Sequence, residues 1–195
     1  MTRHADHPID PMFLERWSPR AYDSKPITKE ELFTILEAGR WAPSSMNAQP
    51  WRFVWALRET PAWEKLFGLL IPYNQDWVKT TSALVIVVSK ATLPPGRDGT
   101  EKPSHSHSFD AGAAWASIAF QASKMGLRAH GMTGFDIPRA ATELGVPDGY
   151  RVEMAFAVGH PTSDLSVIPD ALAAKEKPSD RKPLGELAFE GAFQA

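Results

Sequence analysis

The sequence predicts an α+β fold, a sheet sandwiched between helices, and three observations carry that expectation. The run Ala83-Leu-Val-Ile-Val-Val88 is continuously apolar and rich in β-branched residues, the pattern of a strand covered on both faces. Two long stretches, Thr28 to about Trp41 and Asp110 to Met125, carry helix start and stop signals. Helix and strand patterns then mix along the chain, with more helix than strand.

The elements follow in order. Pro11 to Arg16 reads as a short helix ended by Pro19. Thr28 and Glu31 form a T-x-x-E capping box, and Leu32, Ile35, Leu36 and Gly39 mark the packed face of the helix that Pro43 stops. Arg52 to Leu57 reads as a strand, and Thr60 to Leu70 as a helix with Pro61 in its first turn. After the central strand, Leu93 to Ser108 is polar and rich in Pro, Gly and His, the composition of an exposed loop or lid. Asp110 is the expected N-cap of the next helix and Gly126 its C′ residue. That helix opens on small residues, Ala111, Gly112, Ala113 and Ala114, so it is expected to lie tightly against a neighbour. Arg128 to Met132 and Val152 to Val158 are two further strands.

Composition narrows the function classes. The 195 residues suit a single domain spanning 1–195, with about 163–195 as a C-terminal extension. Surface scaling gives about 9,000 Å² folded against about 31,000 Å² unfolded, enough for a core without staples. With 21 Lys plus Arg against 23 Asp plus Glu, the chain is not built to neutralise a nucleic-acid backbone. The absence of cysteine excludes disulfides, thiolate metal sites, Fe–S clusters and cysteine nucleophiles. The start MTRHADHPID has no apolar h-region and no run is long enough to span a bilayer, so the expectation is a cytoplasmic protein with no membrane or nucleic-acid partner. The 17 Pro and 7 Trp point to a loop-rich chain with aromatic surface for an interface or a flat ligand.

Four constellations could carry chemistry. In Arg16-Trp-Ser-Pro-Arg20, Pro19 disfavours helix, and in an extended segment Arg16, Ser18 and Arg20 share one face, a match for a phosphate. In Pro43-Ser-Ser-Met-Asn-Ala-Gln-Pro-Trp51, hydroxyls and amides sit between prolines and suit the polar edge of a heterocycle, although the same residues make an ordinary turn. Gly131-Met-Thr-Gly-Phe-Asp136 follows a strand and lets backbone approach a ligand, without being a dinucleotide or P-loop fingerprint. Arg181 stands in a basic pair near the tail. His105, His107 and Asp110 offer metal ligands but lack a second cluster, so no metal site is expected. His130 and His160 read as structural residues at strand ends, and no serine has a nucleophile context.

Together these pieces resemble the nitroreductase family of FMN-dependent NAD(P)H oxidoreductases. The resemblance rests on R-x-S-x-R at Arg16 to Arg20, P-S-S-x-N-x-Q-P-W at Pro43 to Trp51, D-x-G-A-A at Asp110, G-F-D at Gly134 to Asp136 and R-x-P-L at Arg181 to Leu184. It implies a three-layer sandwich whose central sheet is mixed but mostly antiparallel, and a homodimer with the C-terminal extension swapped onto the partner subunit. It implies FMN as cofactor, with NAD(P)H as donor, in a ping-pong hydride transfer through flavin N5 to nitroaromatic, quinone or similar conjugated acceptors. Carried onto this chain, Arg16, Ser18, Arg20 and Arg181 hold the phosphate and ribityl end. Pro43, Ser44, Ser45 and Asn47 line the ring from the other subunit, Asn74 lies near the flavin, and Met132, Thr133 and Gly134 pass along its N5 edge. No catalytic side chain is named, since the cofactor carries the chemistry. Two family lysines are replaced here, by Ser179 and by Trp77. Trp41, Trp77, Phe109 and the loop 93–108 are expected to wall or cover the acceptor pocket. A dehalogenase or ring dehydrogenase of the same fold, or a flavin-binding protein with little turnover, remain alternatives.

Overall fold

The computed structural model describes residues 3–194. A four-stranded sheet runs in the order β1-β2-β4-β3 and carries helices on both faces. In chain order the elements are α1 (Met12–Glu15), α2 (Lys29–Arg40), β1 (Trp51–Leu57), α3 (Pro61–Phe67), α4 (Pro72–Val78), β2 (Ala83–Lys90), α5 (His107–Lys124), β3 (Arg128–Met132), α6 (Ile137–Glu143), β4 (Tyr150–Gly159) and α7 (Asp170–Ala173).

The central strand is covered on both sides, as its apolar run predicts. In β2, Ala83, Val85 and Val87 face a core built with Leu32 and Ile35 of α2 and Ile118 and Ala122 of α5. The alternate residues Leu84, Ile86 and Val88 face Trp63 and Leu66 of α3, Trp77 and Val78 of α4 and Ala140 of α6. Strand period 2 thus divides one sequence run between two cores. All three pairings are antiparallel, so the parallel share of the expected mixed sheet is absent among the described residues. Between Val87 and Val88 the register to β4 shifts by one residue, at Glu153. The shift lets Val152 join the same core as Ala155 and Ala157 although it lies an odd number of residues from both.

Local signals explain most boundaries. The α2 capping box forms in both directions, from Glu31 N to Thr28 Oγ1 (3.1 Å) and from Thr28 N to Glu31 Oε2 (2.7 Å). Gly126, at φ 76°, closes α5, and Leu127 N donates to Ala122 O at 2.9 Å, a Schellman ending. At the other end of α5 the expectation is corrected. The helix starts four residues early, with Ser106 at the N-cap position, because Asp110 is committed elsewhere: its Oδ2 accepts from Ser106 Oγ (3.0 Å) and Ser45 N (3.2 Å). The sequence reading has no helix at α4, which starts on Pro72 with no side-chain cap.

The segment after β4 lies mostly on the surface of its own chain. Arg3 Nε donates to Ser179 O (3.0 Å), and Leu184 N donates to Asp6 Oδ2 (2.8 Å), tying the tail to the leader. Leu184, Leu187 and Phe193 remain exposed. The accessible surface of 11,412 Å² exceeds the value expected for this mass by about 2,000 Å². No helix among the described residues is long and apolar enough to cross a membrane.

α2 and α5 meet at Gly39, where a Cβ would lie 2.7 Å from Ile118 Cδ1 and 3.3 Å from Ala114 O. Ile118 is fully buried and cannot yield. Gly39→Ala is expected to lower stability by about 1–3 kcal/mol despite its better helix propensity, read as a reduced urea midpoint at unchanged slope.

Candidate functional site

Two cavities share Arg16 and Ser18 and meet where the segment after α1 runs past the end of β3. The first, about 610 Å³, is lined by Trp115, Ala116, Ala119 and Phe120 of α5, by Gly131 and Met132 of β3 with the adjoining Thr133, and by Met154 of β4. It is an apolar slot open at one side. Gly131 shapes its floor: a Cβ there would meet Trp115 Cζ2 at 2.9 Å and Met154 Cε at 2.5 Å, so only glycine lets the indole and the thioether converge.

The second cavity, about 380 Å³, is cationic. Arg3, Arg16, Arg20, Lys175, Lys177 and Arg181 line it together with Trp17, Ser18, His130 and Ser179, and no carboxylate does. Burial holds Arg16 below the usual arginine range, and Arg181, Arg3 and Arg128 push the same way. Burial and Arg181 act likewise on Arg3, with Asp180 pulling the other way. Guanidinium groups crowded around a cavity that no carboxylate lines suit an anion. Arg20 Nε is buried with no partner, whereas its backbone N–H is satisfied by Glu176 Oε1 at 2.5 Å. A donor buried and unpaired in this way is costly unless a ligand completes it.

A short relay links the two cavities from behind. Asn74 Nδ2 donates to Gly134 O at 2.9 Å, and Trp77 Nε1 donates to Asn74 Oδ1 at 3.3 Å. The Trp77 ring lies 4.5 Å from the His130 ring, and His130 Nδ1 is 2.7 Å from Pro19 O. Asn74 is therefore buried and spends its amide on the Gly134 turn, so it positions that turn rather than facing either cavity. Trp77 is corrected outright: it is fully buried in the core and walls no pocket.

The remaining candidates lie elsewhere. Pro43, Ser44, Ser45 and Asn47 sit in the turn after α2 and line neither cavity of their own chain. The backbone there is strained, with Met46, Asn47 and Gln49 at φ 52°, 52° and 47°. Asp110 Oδ2 anchors it through Ser45 N, while Ser45 and Asn47 side chains stay exposed. Trp41 and Phe109 are exposed and line neither cavity, nor does any residue of 93–108. His107 is engaged with Ser89 Oγ at 2.7 Å, next to Glu153, and Asp110 with Ser45 and Ser106. No group of three or more metal-ligating side chains is gathered among the described residues.

Sequence reasoning missed Arg3, Lys175, Lys177 and His130. The three cations lie outside the quoted motifs, and no local pattern marks a leader arginine that reaches a tail 176 residues away. His130 carried one usable signal, its place in the same strand as the Gly131 turn.

The chain matches the Nitroreductase family over residues 14–160. It is 49% identical to a solved structure described as an oxidoreductase containing FMN, covering 98% of this chain and 96% of that one at a TM-score of 0.94. It is 26% identical over 178 residues to the NADH dehydrogenase of Thermus thermophilus, covering 77% of this chain and 85% of that one. It is 32% identical over 88 residues to the major NAD(P)H-flavin oxidoreductase of Aliivibrio fischeri, covering 43% and 40% respectively.

Burial, with Arg20 and Arg16 behind it, lowers His130 to about 4 against the opposing pull of the Pro19 carbonyl. The unfolded chain, with an ordinary histidine near 6.5, then binds more protons between pH 4 and 6.5, so stability rises with pH across that window. In the absence of a bound anion, stability is expected to fall by up to about 3 kcal/mol from pH 7 to pH 4 through this group. The check is the difference between native protein and His130→Asn in denaturant titrations at pH 7, 5.5 and 4.5.

Proposed function

The chain belongs to the nitroreductase family, and from that premise we propose that it is an FMN-dependent oxidoreductase that takes electrons from NAD(P)H and passes them to flat, conjugated acceptors such as nitroaromatics and quinones. The observation that carries the reading is the pair of cavities joined at Arg16 and Ser18, one cationic and one an apolar slot between helix and strand. A phosphate at one end and a flat ring at the other satisfy both. The orphaned Arg20 Nε and the guanidinium cluster fit the phosphate.

FMN, when bound, supplies the hydride-accepting and hydride-donating ring, and the chain's own residues bind, orient and exclude water. Arg16, Arg20 and Arg181 hold the phosphate by charge-assisted hydrogen bonds, and Ser18 serves the ribityl end. Met132, Thr133 and Gly134 run along the ring edge, with Asn74 fixing the Gly134 turn from behind. Trp115, Phe120 and Met154 keep water from one side of the slot. No side chain in either cavity is placed as an obligatory acid or base; donor and acceptor would occupy the one slot in turn, which would make the turnover ping-pong.

Pro43, Ser44, Ser45 and Asn47 serve the flavin of a second copy in a homodimer. Three observations support the dimer: the surface excess, the exposed tail apolars, and a strained loop whose Ser45 and Asn47 side chains stay exposed and line neither cavity of their own chain.

The purified protein is expected to be yellow and to bleach on anaerobic addition of NADH or NADPH. A colourless protein that also ignores added FMN contradicts the reading, and a yellow one that neither donor bleaches favours a flavin-binding role. Arg20→Ala is expected to weaken FMN retention about 10- to 100-fold on dialysis, with little loss of fold stability because the Nε it removes is unpaired.

A further inference from the structure

His130 is the one histidine of the cationic cavity and lies outside the quoted motifs. We propose that His130 is a ligand of the cofactor's terminal phosphate through Nε2, and that it brings one proton into the complex. The proposal rests on the FMN reading above and concerns how that site holds its anion.

Geometry fixes the ring. A carbonyl can only accept, so the 2.7 Å contact with Pro19 O places a proton on Nδ1 and leaves the lone pair of the neutral ring on Nε2. Trp77, at 4.5 Å, packs against the ring and is itself held by Asn74. Nε2 has no hydrogen-bond partner among the described residues, and unlike Arg20 Nε it is not sealed from solvent. The ring lines the same cavity as Arg16, Ser18, Arg20 and Arg181.

The surrounding charges decide the protonation. Arg16 and Arg20 face the ring from the preceding segment, Lys175, Lys177 and Arg181 from the tail, and Arg3 from the leader. Arg128 lies two residues away on the same strand, and buried Tyr22 beside the group is pushed upward by burial. Glu176 Oε1 accepts from the backbone N–H groups of Arg20 and Ala21 while its Oε2 is buried without a partner, and Asp180, next to Arg181, offsets part of the charge at Arg3. Without an anion the cations and burial keep the ring neutral. A phosphate dianion within hydrogen-bond distance reverses the balance.

The proton count follows. A phosphate monoester loses its second proton near pH 6, so above that the free ligand is a dianion and the free ring is neutral. Neither partner then carries a proton for the Nε2–phosphate bond, and one must come from solvent. Arginines stay charged throughout and produce no such dependence.

The test follows release of FMN from the diluted holoprotein by flavin fluorescence at pH 6 to 9, with riboflavin as the ligand lacking the phosphate. For the native chain the FMN Kd is expected to rise toward tenfold per pH unit above about pH 7. His130→Asn keeps a donor for Pro19 O and loses Nε2. It is expected to weaken FMN about 10- to 100-fold at pH 7, abolish the rise with pH and leave riboflavin unchanged. His130→Gln places a non-titrating donor near Nε2 and is expected to recover affinity without the pH slope. Equal slopes in the native chain and His130→Asn overturn the proposal, as does an equal loss of riboflavin and FMN, which marks a packing role. A native chain that retains neither flavin at any pH overturns it together with the cofactor reading. A chain that binds FMN with no pH slope overturns it alone.

Discussion

The whole structure depends on burying β2 on both faces. A strand in that position has no solvent side, so every residue from Ala83 to Ser89 must meet packing, and the two helical layers exist to supply it. From this follow the division of the apolar residues into two cores and the tight approach of α2 to α5 at Gly39. Antiparallel β4 is laid against β2 along its full length, and β3 ends at Met132, after which the chain leaves the sheet through Thr133 and Gly134. The apolar slot lies at that end of the sheet against α5, and the cationic cavity lies beside it among His130, the segment after α1, the leader and the tail, where packing has run out and side chains can face a ligand.

The site itself is assembled from parts distant in sequence. The leader, the segment after α1, β3 and the tail each bring positive charge to one small volume, and repulsion among those charges opposes their assembly. Hydrogen bonds to backbone carbonyls hold them nonetheless. Arg3 reaches Leu14 O and Arg16 O at 2.8 and 2.9 Å as well as Ser179 O, so a single guanidinium spans both walls of the cavity. An anion relieves the repulsion that these bonds restrain, which ties ligand binding to the order of the tail. At Ser179, which carries no charge of its own, Arg3 Nε donates to the carbonyl and brings a charge from the leader.

Much of this was legible in the sequence where the signal is local. The capping box at Thr28 and Glu31, the continuous apolar run of β2, and Gly126 after α5 each act over a few residues and were readable. Where tertiary commitments outrank local preference, the reading slipped. Asp110 looks like an N-cap, but two partners already hold its carboxylate inside the fold, and the helix extends back to His107. Trp77 reads as a flat wall for a ligand and instead fills the core. Of the site, Arg16, Ser18 and Arg20 line the cationic cavity and Met132 and Thr133 the apolar slot, whereas His130 looks structural until Pro19, far away in sequence, shows which nitrogen is engaged. The loop from Pro43 to Asn47 carries its motif but is held to its own chain through Asp110 Oδ2 at Ser45 N and lines neither cavity, so motif and cavities lie apart within one chain.

The one-residue shift in register at Glu153 has a bearing on how such a chain can diverge. Below it, β4 alternates in one phase, with Phe156 and Val158 toward α2 and α5; above it, Val152 faces the opposite core, and Glu153 bonds Ser89 and Ser108 at 2.5 and 2.7 Å. Losing that single position would restore strict alternation with Val152 and Met154 still on their present faces, and would remove the carboxylate that Ser89 and Ser108 bond. Elsewhere along the strand a residue gained or lost exchanges inside for outside on one side of the change. Length variation among descendants of this chain is therefore expected at this one position and in its loops and tail, where no pairing keeps count.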